Sequence, residues 1–480
     1  MKLDTSTDPH VGYRPPGALD IASALAPYAG PFTRRDAAHL YRRAGFGGTP
    51  AEIEALATAG AGPAVEAFLH PKTPEVAFTD FPDDYDPIRR SLHTPSAQTW
   101  FLDRMLRARH PLAEKMAFFW HGHFATSYRK VPAPMMVAQI NIFRTLGLGD
   151  FRSLLLATSK DPAMLVWLDN RANVKAHPNE NFAREVMELF TLGLGNFSEA
   201  DVRDGARAFT GWTIGRDGGF ADLADRHDEG TKTVLGRSGN LGGEDVIAAI
   251  VAQPAHQRFI SRKLLEYFVY SDPEPELVDA LAHTYASSGG NIATTVGTIF
   301  RSNVFFSQRA YRSMPKSPVE FVIGTLRFME VGAIPRDTPQ WLARMGQEIL
   351  APPNVKGWDG GPMWVNTTTL LARLNYVDRI VKASAAHARP ELTIDPATYP
   401  ELTPDAIVRR AGGLAAGHIL ETMLRDALQD DATSDVRATL LAYLDSKGSS
   451  APAPLGPENY QDKIRGALAL VLQLPSNQLN

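Results

Sequence analysis

Glu185 and Glu188 stand three residues apart in Asn179-Glu180-Asn181-Phe182-Ala183-Arg184-Glu185-Val186-Met187-Glu188-Leu189-Phe190. On a helix, carboxylates at that spacing are neighbours. They repel unless a cation lies between them or one keeps its proton. Arg184 could supply the cation, and so could a metal ion. At about 100° per residue, Phe182, Val186, Leu189 and Phe190 gather on one side of this helix, and Asn181, Arg184, Glu185 and Glu188 gather beside them. A donor-rich edge along a buried stripe suits a metal or substrate site. It also suits a salt-bridge network that locks neighbouring helices. The Glu-x-x-His pair of di-metal helical bundles is absent, because Glu185-x-x-Glu188 takes its place.

The second candidate is Trp120-His121-Gly122-His123-Phe124. In an extended chain, His121 and His123 point the same way and can share a metal. In a helix they lie about 200° apart and cannot. Gly122 is read as ending the helix that starts near Glu114, which permits sharing. The alternative makes His121 a helix-end cap and His123 a satisfied core histidine. The third candidate, Arg226-His227-Asp228-Glu229-Gly230-Thr231-Lys232, could hold His227, Asp228 and Lys232 over a helical cleft. It reads equally as a turn held by the Asp228 side chain. A His-Asp doublet in a glycine-rich loop argues against the phosphohydrolases that carry this doublet on helices.

Weaker signals remain. Pro352-Pro353-Asn354-Val355-Lys356-Gly357-Trp358-Asp359-Gly360-Gly361, with Trp364 nearby, reads as a packing loop or a substrate platform. Arg42-Arg43 with Gly45 and Gly47 could touch an anion, but no strand precedes them and no G-x-x-x-x-G-K is present, so a P-loop is not supported. Leu192-Gly193-Leu194-Gly195 resembles a helix C-cap. G-x-S-x-G is absent, which disfavours a hydrolase elbow. Asp83-Asp84-Tyr85-Asp86 could hold magnesium–diphosphate in a helical cyclase or transferase, but it falls in a predicted loop.

The elements that must position these residues are mostly helical. Capping boxes begin at Thr33, Thr49, Ser198 and Ser317. Helical periodicity covers Ala51–Thr58, Ala97–Ala108, Glu114–Trp120, Phe151–Ala157, Val246–Val251, Arg258–Val269, Glu276–Ser287, Val319–Val331 and Ile419–Leu428. Lys232–Gly236 is the one strand candidate. The spacing predicts an arm over 1–30, a main helical domain over 31–387 and a C-terminal helical segment over 388–480 packed on it. The insert 215–243 reads as irregular, 388–404 as a linker and 446–458 as a mobile loop.

The 480 residues are 44% hydrophobic and 21% charged, with 49 basic against 53 acidic residues. No basic field exists to hold nucleic acid. No cysteine is present, which excludes disulfides, thiolate chemistry and iron–sulfur clusters. No stretch approaches the ~20 apolar residues of a membrane span. The first thirty residues lack a basic-then-apolar leader, so the chain reads as cytoplasmic, with export open if a leader was removed.

Several segments together resemble a bacterial family known as domain of unknown function 1800. They are His39–Gly47, Glu114-Lys115-Met116 with Trp120–Phe124, Asn179-Glu180-Asn181 through Gly193, Phe209-Thr210-Gly211-Trp212, Arg226-His227-Asp228 with Lys232 and Gly236, Arg262-Lys263-Leu264, Pro318-Val319-Glu320 and Pro352–Trp358. The resemblance implies a mostly helical protein. It supplies no agreed reaction, so no catalytic residue is carried over. Many members look exported, and this N-terminus departs from that.

The combined expectation is a mostly α multi-helix bundle with long loops. It carries a metal-dependent enzyme of unknown substrate, favoured as a non-haem oxidoreductase acting on a small organic molecule. His121, His123 and Glu188 are the expected ligands for Fe, Mn or Zn. Glu185 is ligand or base, His227 acid/base or ligand, Arg184 and Lys232 orient charge, and Asp228 is a further catalytic candidate. The alternatives are a non-catalytic binding or accessory protein with a buried polar network, which could engage a protein partner, and a metal-dependent hydrolase or cyclase/transferase. Neither nucleic acid nor membrane is expected as a partner.

Overall fold

Four helices start on Thr33, Thr49, Ser198 and Ser317, whose side chains each accept a backbone N–H three residues on, while the carboxylate at that third position accepts the cap's own N–H. These reciprocal caps satisfy donors that a helix start otherwise leaves open. The structure, a computed structural model, describes residues 20–384, 396–445 and 454–480. Most of them lie in helices, joined by two small antiparallel hairpins. No helix among them is long and apolar enough to cross a membrane.

The predicted helices are present, generally extended by a turn at the N-terminal end. Ala97–Ala108 is Thr94–Arg107, Arg258–Val269 is Pro254–Phe268, and Ile419–Leu428 is Ala416–Leu428. Proline explains several of these earlier starts. Pro95 and Pro254 occupy first-turn positions, where the missing N–H costs nothing. Apolar periodicity registers only the buried face, so it begins late.

Two expectations need correction. The insert 215–243 is not wholly irregular. Phe220–Asp222 returns against Trp212–Ile214, and Lys232–Val234 pairs with Arg237–Gly239 through a tight turn at Leu235-Gly236. Short strands of mixed polarity give no two-residue alternation to read. The helix carrying the paired histidines also does not stop at Gly122. It spans Pro111–His123.

One continuous apolar core runs from Ala24 to Leu472 and takes in the helices Thr367–Ala383, Ala416–Leu428 and Tyr460–Gln473. The C-terminal segment therefore packs into the same core as the rest. The arm's residues 1–19, linker residues 385–395 and loop residues 446–453 lie outside the described residues. Within the arm, Ile21–Ala24 is a helical turn and Pro27 bridges to Ser302.

Candidate functional site: an aromatic-walled cavity at a π-helical turn

The Glu180–Met187 helix is started by Asn179, whose side chain accepts the Asn181 N–H at 3.0 Å. Of the predicted stripe, Phe182, Val186 and Phe190 are buried, and Leu189 is partly buried and lines the cavity described below. The helix then widens. Over Glu188–Leu192 it makes a π-helical turn, closed by Gly193 N–H donating to the Glu188 carbonyl at 3.1 Å. Such turns alter the side-chain spacing and release carbonyls from the α-helical ladder. The carbonyl of Phe190 is taken by His123, whose Nε2 lies 2.9 Å away. A carbonyl oxygen only accepts, so His123 carries its proton on Nε2 and keeps a lone pair on Nδ1.

His123 and Glu188 both line a cavity of about 420 Å³. The volume is of the order that accommodates a small organic ligand. Phe118 and Phe119, one turn before His123, form part of the same wall. Phe259, Lys263, Glu266 and Tyr267 line it from the Pro254–Phe268 helix. Lys356, Trp358, Asp359 and Trp364 close the other side. This loop is fixed by contact between two glycines. Gly357 has φ +90°, and a Cβ there would lie 2.3 Å from the Gly122 carbonyl oxygen. The near approach sets Trp358 against Phe118 and His121, with ring centroids 6.4 and 5.5 Å apart. The proline–glycine–tryptophan segment is thus both a packing loop and a cavity wall.

The charges on this wall are mostly self-satisfied. Lys263 Nζ lies 3.7 Å from Glu266, and Lys356 Nζ lies 3.3 Å from Asp359. Glu320, at the inner end, pairs with buried Lys115. Glu188 has no hydrogen bond or ion pair to another side chain among the described residues. Glu185, half-buried beside it, is likewise unpartnered. Burial raises its pKa first, the Glu188 charge adds to that, and Arg184 opposes both. Burial, helped by Lys263, pushes His123 down to about 3, so its imidazole is neutral at pH 7. The Tyr267 hydroxyl is buried without a partner.

The other predicted site residues are not brought to this cavity. His121 is on the same helix as His123, so the two imidazoles diverge by about 200°. It is wholly buried, touches Phe101 and Trp358, and has no partner on either ring nitrogen. Sharing one metal between these imidazoles needed an extended chain, and the helix rules that geometry out. Arg184 turns to the surface, where it grips Glu199 at 2.7 and 2.8 Å and Glu180 at 3.2 Å. It ties two helices together at the surface through Glu180 and Glu199, not through Glu185 and Glu188 as the buried salt-bridge alternative has it.

His227, Asp228 and Lys232 form a separate cluster. His227 Nδ1 donates to the Thr210 carbonyl at 2.9 Å. Asp228 receives Arg207 Nε at 2.8 Å and Gly230 N–H at 2.8 Å, and Arg207 holds its carboxyl down at about 2. Lys232, 1% exposed, donates to the Gly230 carbonyl at 3.0 Å and to Asn240 at 3.1 Å. Every strong donor and acceptor here serves the hairpin, as the turn reading has it. The Asp83–Asp86 run is a turn in which Asp84 accepts from Ser96 and pairs with His93. Among the described residues, no group of three or more His, Asp or Glu side chains gathers as metal ligands do.

Sequence reasoning missed Lys263, Glu266 and Tyr267. A signal existed, because Phe259, Lys263, Glu266 and Tyr267 fall on one helix face at spacings of four, three and one. Nothing in one helix's pattern, however, says which other face it meets.

The protein is therefore mostly α, with a sizeable cavity of mixed aromatic and charged lining. It belongs to the family described as "Protein of unknown function (DUF1800)", whose model matches residues 39–479. No curated protein and no solved structure matches the chain.

Proposed function

We propose that this protein binds a small organic molecule in the cavity, with a flat apolar body against Trp358, Phe118 and Phe259 and a hydrogen-bond-donating or cationic group at Glu188. The carrying observation is the Glu188 carboxylate, half-buried on the cavity wall with no side-chain partner while the other charged side chains that line the cavity are paired. With no side-chain partner of its own, that carboxylate is free to accept a hydrogen bond from a ligand in the cavity. Neutral His123 lines the same cavity. The test is a small-molecule thermal-shift screen on the full chain, repeated with Glu188→Gln and Trp358→Ala. Compounds bound in the cavity stabilise the wild type and lose that effect in both variants. Ligands that stabilise all three proteins equally would place the site elsewhere and defeat the proposal.

A metal-assisted reaction, oxidative or hydrolytic, is the second reading. One observation favours it. A histidine that donates one ring N–H to a backbone carbonyl is oriented as metal-bound imidazoles are, and His123 does this beside Glu188. The protein side chains supply two donors of the expected set, one short of the three that catalytic zinc sites use. Elemental analysis of the purified chain decides it. Near-stoichiometric metal that is lost in Glu188→Gln supports this reading, and metal-free protein that still binds the screened ligand rejects it.

A further inference from the structure

Beside the main cavity, and sharing Glu320 and Asn480 with it, lies a smaller one of about 50 Å³. Arg42, Lys316, Gly47, Gly48, Gln429 and Asn477 help to line it. Four cations are more than nine-tenths buried here: Arg42 (8% exposed), Arg43 (1%), Lys316 (9%) and Arg373 (0%). None of the four has a carboxylate within ion-pair distance among the described residues, whereas Arg312 and Lys115 nearby do. Arg42 donates Nη1 to Gln429 at 2.9 Å, and its Nε and Nη2 are buried with no partner. Lys316 donates to Asn477 Oδ1 at 3.3 Å. Arg43 and Arg373 donate only to neutral oxygens, those of Val269, Ala310, Ser313, Lys316 and Gln478. The two side-chain carboxylates on the cavity wall are already committed, Glu320 to Lys115 and Asp426 to Arg34 and Arg425.

Buried charges without an ion-pair partner are strongly unfavourable, and burial, with the Arg42 and Arg312 charges nearby, pushes the Lys316 amine well below the usual ammonium range until an anion meets it. The volume suits roughly three or four waters, or one tetrahedral oxyanion. We infer that this cavity holds a small oxyanion of phosphate type, bound between the unpartnered guanidinium nitrogens of Arg42 and the ammonium of Lys316. Arg42, with Gly47 beside it on the cavity wall, thereby finds a use that needs no P-loop. The anion is either free or the end group of a larger molecule.

Equilibrium dialysis of the full chain against radiolabelled inorganic phosphate tests this, with sulfate as competitor and chloride at matched ionic strength as control. One saturable site displaced by sulfate but not by chloride is expected. Lys316→Met should weaken it roughly ten- to a hundred-fold, the worth of one charge-assisted hydrogen bond. That variant loses an unpaired buried charge, so it should also melt no earlier than the wild type in phosphate-free buffer. A phosphomonoester that competes as well as phosphate identifies an end group, and one that fails identifies the free ion. Absence of saturable binding at millimolar phosphate means that water alone serves these donors, and the inference falls. It also falls if folded Lys316→Met binds phosphate as tightly as the wild type.

Discussion

Replacing His121 with leucine should stabilise the protein, and more so in acid. The imidazole is fully buried, and neither ring nitrogen has a partner. Leucine has similar volume and no polar atom, so packing changes little. Removing two unsatisfied polar atoms is worth about 1–3 kcal/mol, and imperfect packing offsets part of it, leaving about 0–2 kcal/mol of gain at pH 7. Burial alone lowers the His121 pKa from 6.5 to about 3. The folded value is below the unfolded one, so between them the unfolded chain binds the extra proton. Stability from this group is full above the unfolded pKa and is lost as pH falls toward the folded one. At pH 5 the loss amounts to about 2 kcal/mol. The variant escapes it. Urea unfolding, followed by tryptophan fluorescence at pH 7 and pH 5, should show the variant's advantage growing by about that amount in acid. A variant less stable than the wild type by more than about 2 kcal/mol at pH 7, or an advantage that does not grow, would mean that His121 has a partner in solution. The reasoning would then be wrong.

Other expectations follow from the same contacts. With His39 well below its usual pKa, His123 near 3 and His256 near 4, all chiefly through burial, wild-type melting temperature should fall steadily from pH 7 to pH 4. A flat profile would contradict buried neutral imidazoles. Gly357→Ala forces a Cβ against the Gly122 carbonyl at positive φ. It should cost about 2–4 kcal/mol and displace Trp358, visible as lower thermal stability together with altered tryptophan emission. Lys115→Met leaves Glu320 buried and unpaired. A loss of about 3–5 kcal/mol in urea unfolding is expected. Arg207→Ala should loosen the Asp228 hairpin and speed its amide exchange at Thr231–Thr233, while leaving ligand-induced thermal shifts in the main cavity unchanged.

Much of the helical frame is local information. Thr33, Thr49, Ser198 and Ser317 announce their helices because a cap and its partner are three residues apart in sequence as well as in space. The oily stripe of Phe182, Val186 and Phe190 reads directly for the same reason. The site was half legible. His123 and Glu188 were marked by residue type, and the Trp358 loop by its proline–glycine pattern. His121 was not separable from His123, because a single glycine does not reveal whether a helix stops. The helix continues, one imidazole faces the core, and the other reaches the cavity. His227, Asp228 and Lys232 looked reactive until their partners on other elements were visible.

Composition, caps and periodicity determined a cysteine-free, mostly helical chain with no membrane-spanning helix among the described residues, and they marked the donor-rich edge at Glu185 and Glu188. Tertiary structure alone decided which carboxylate stayed without a side-chain partner, which cations lost their counter-charges, and that residues 123, 188, 263 and 358 share a wall. Partnership across long chain separations depends on how whole helices pack, and the pattern of any single helix is compatible with many packings.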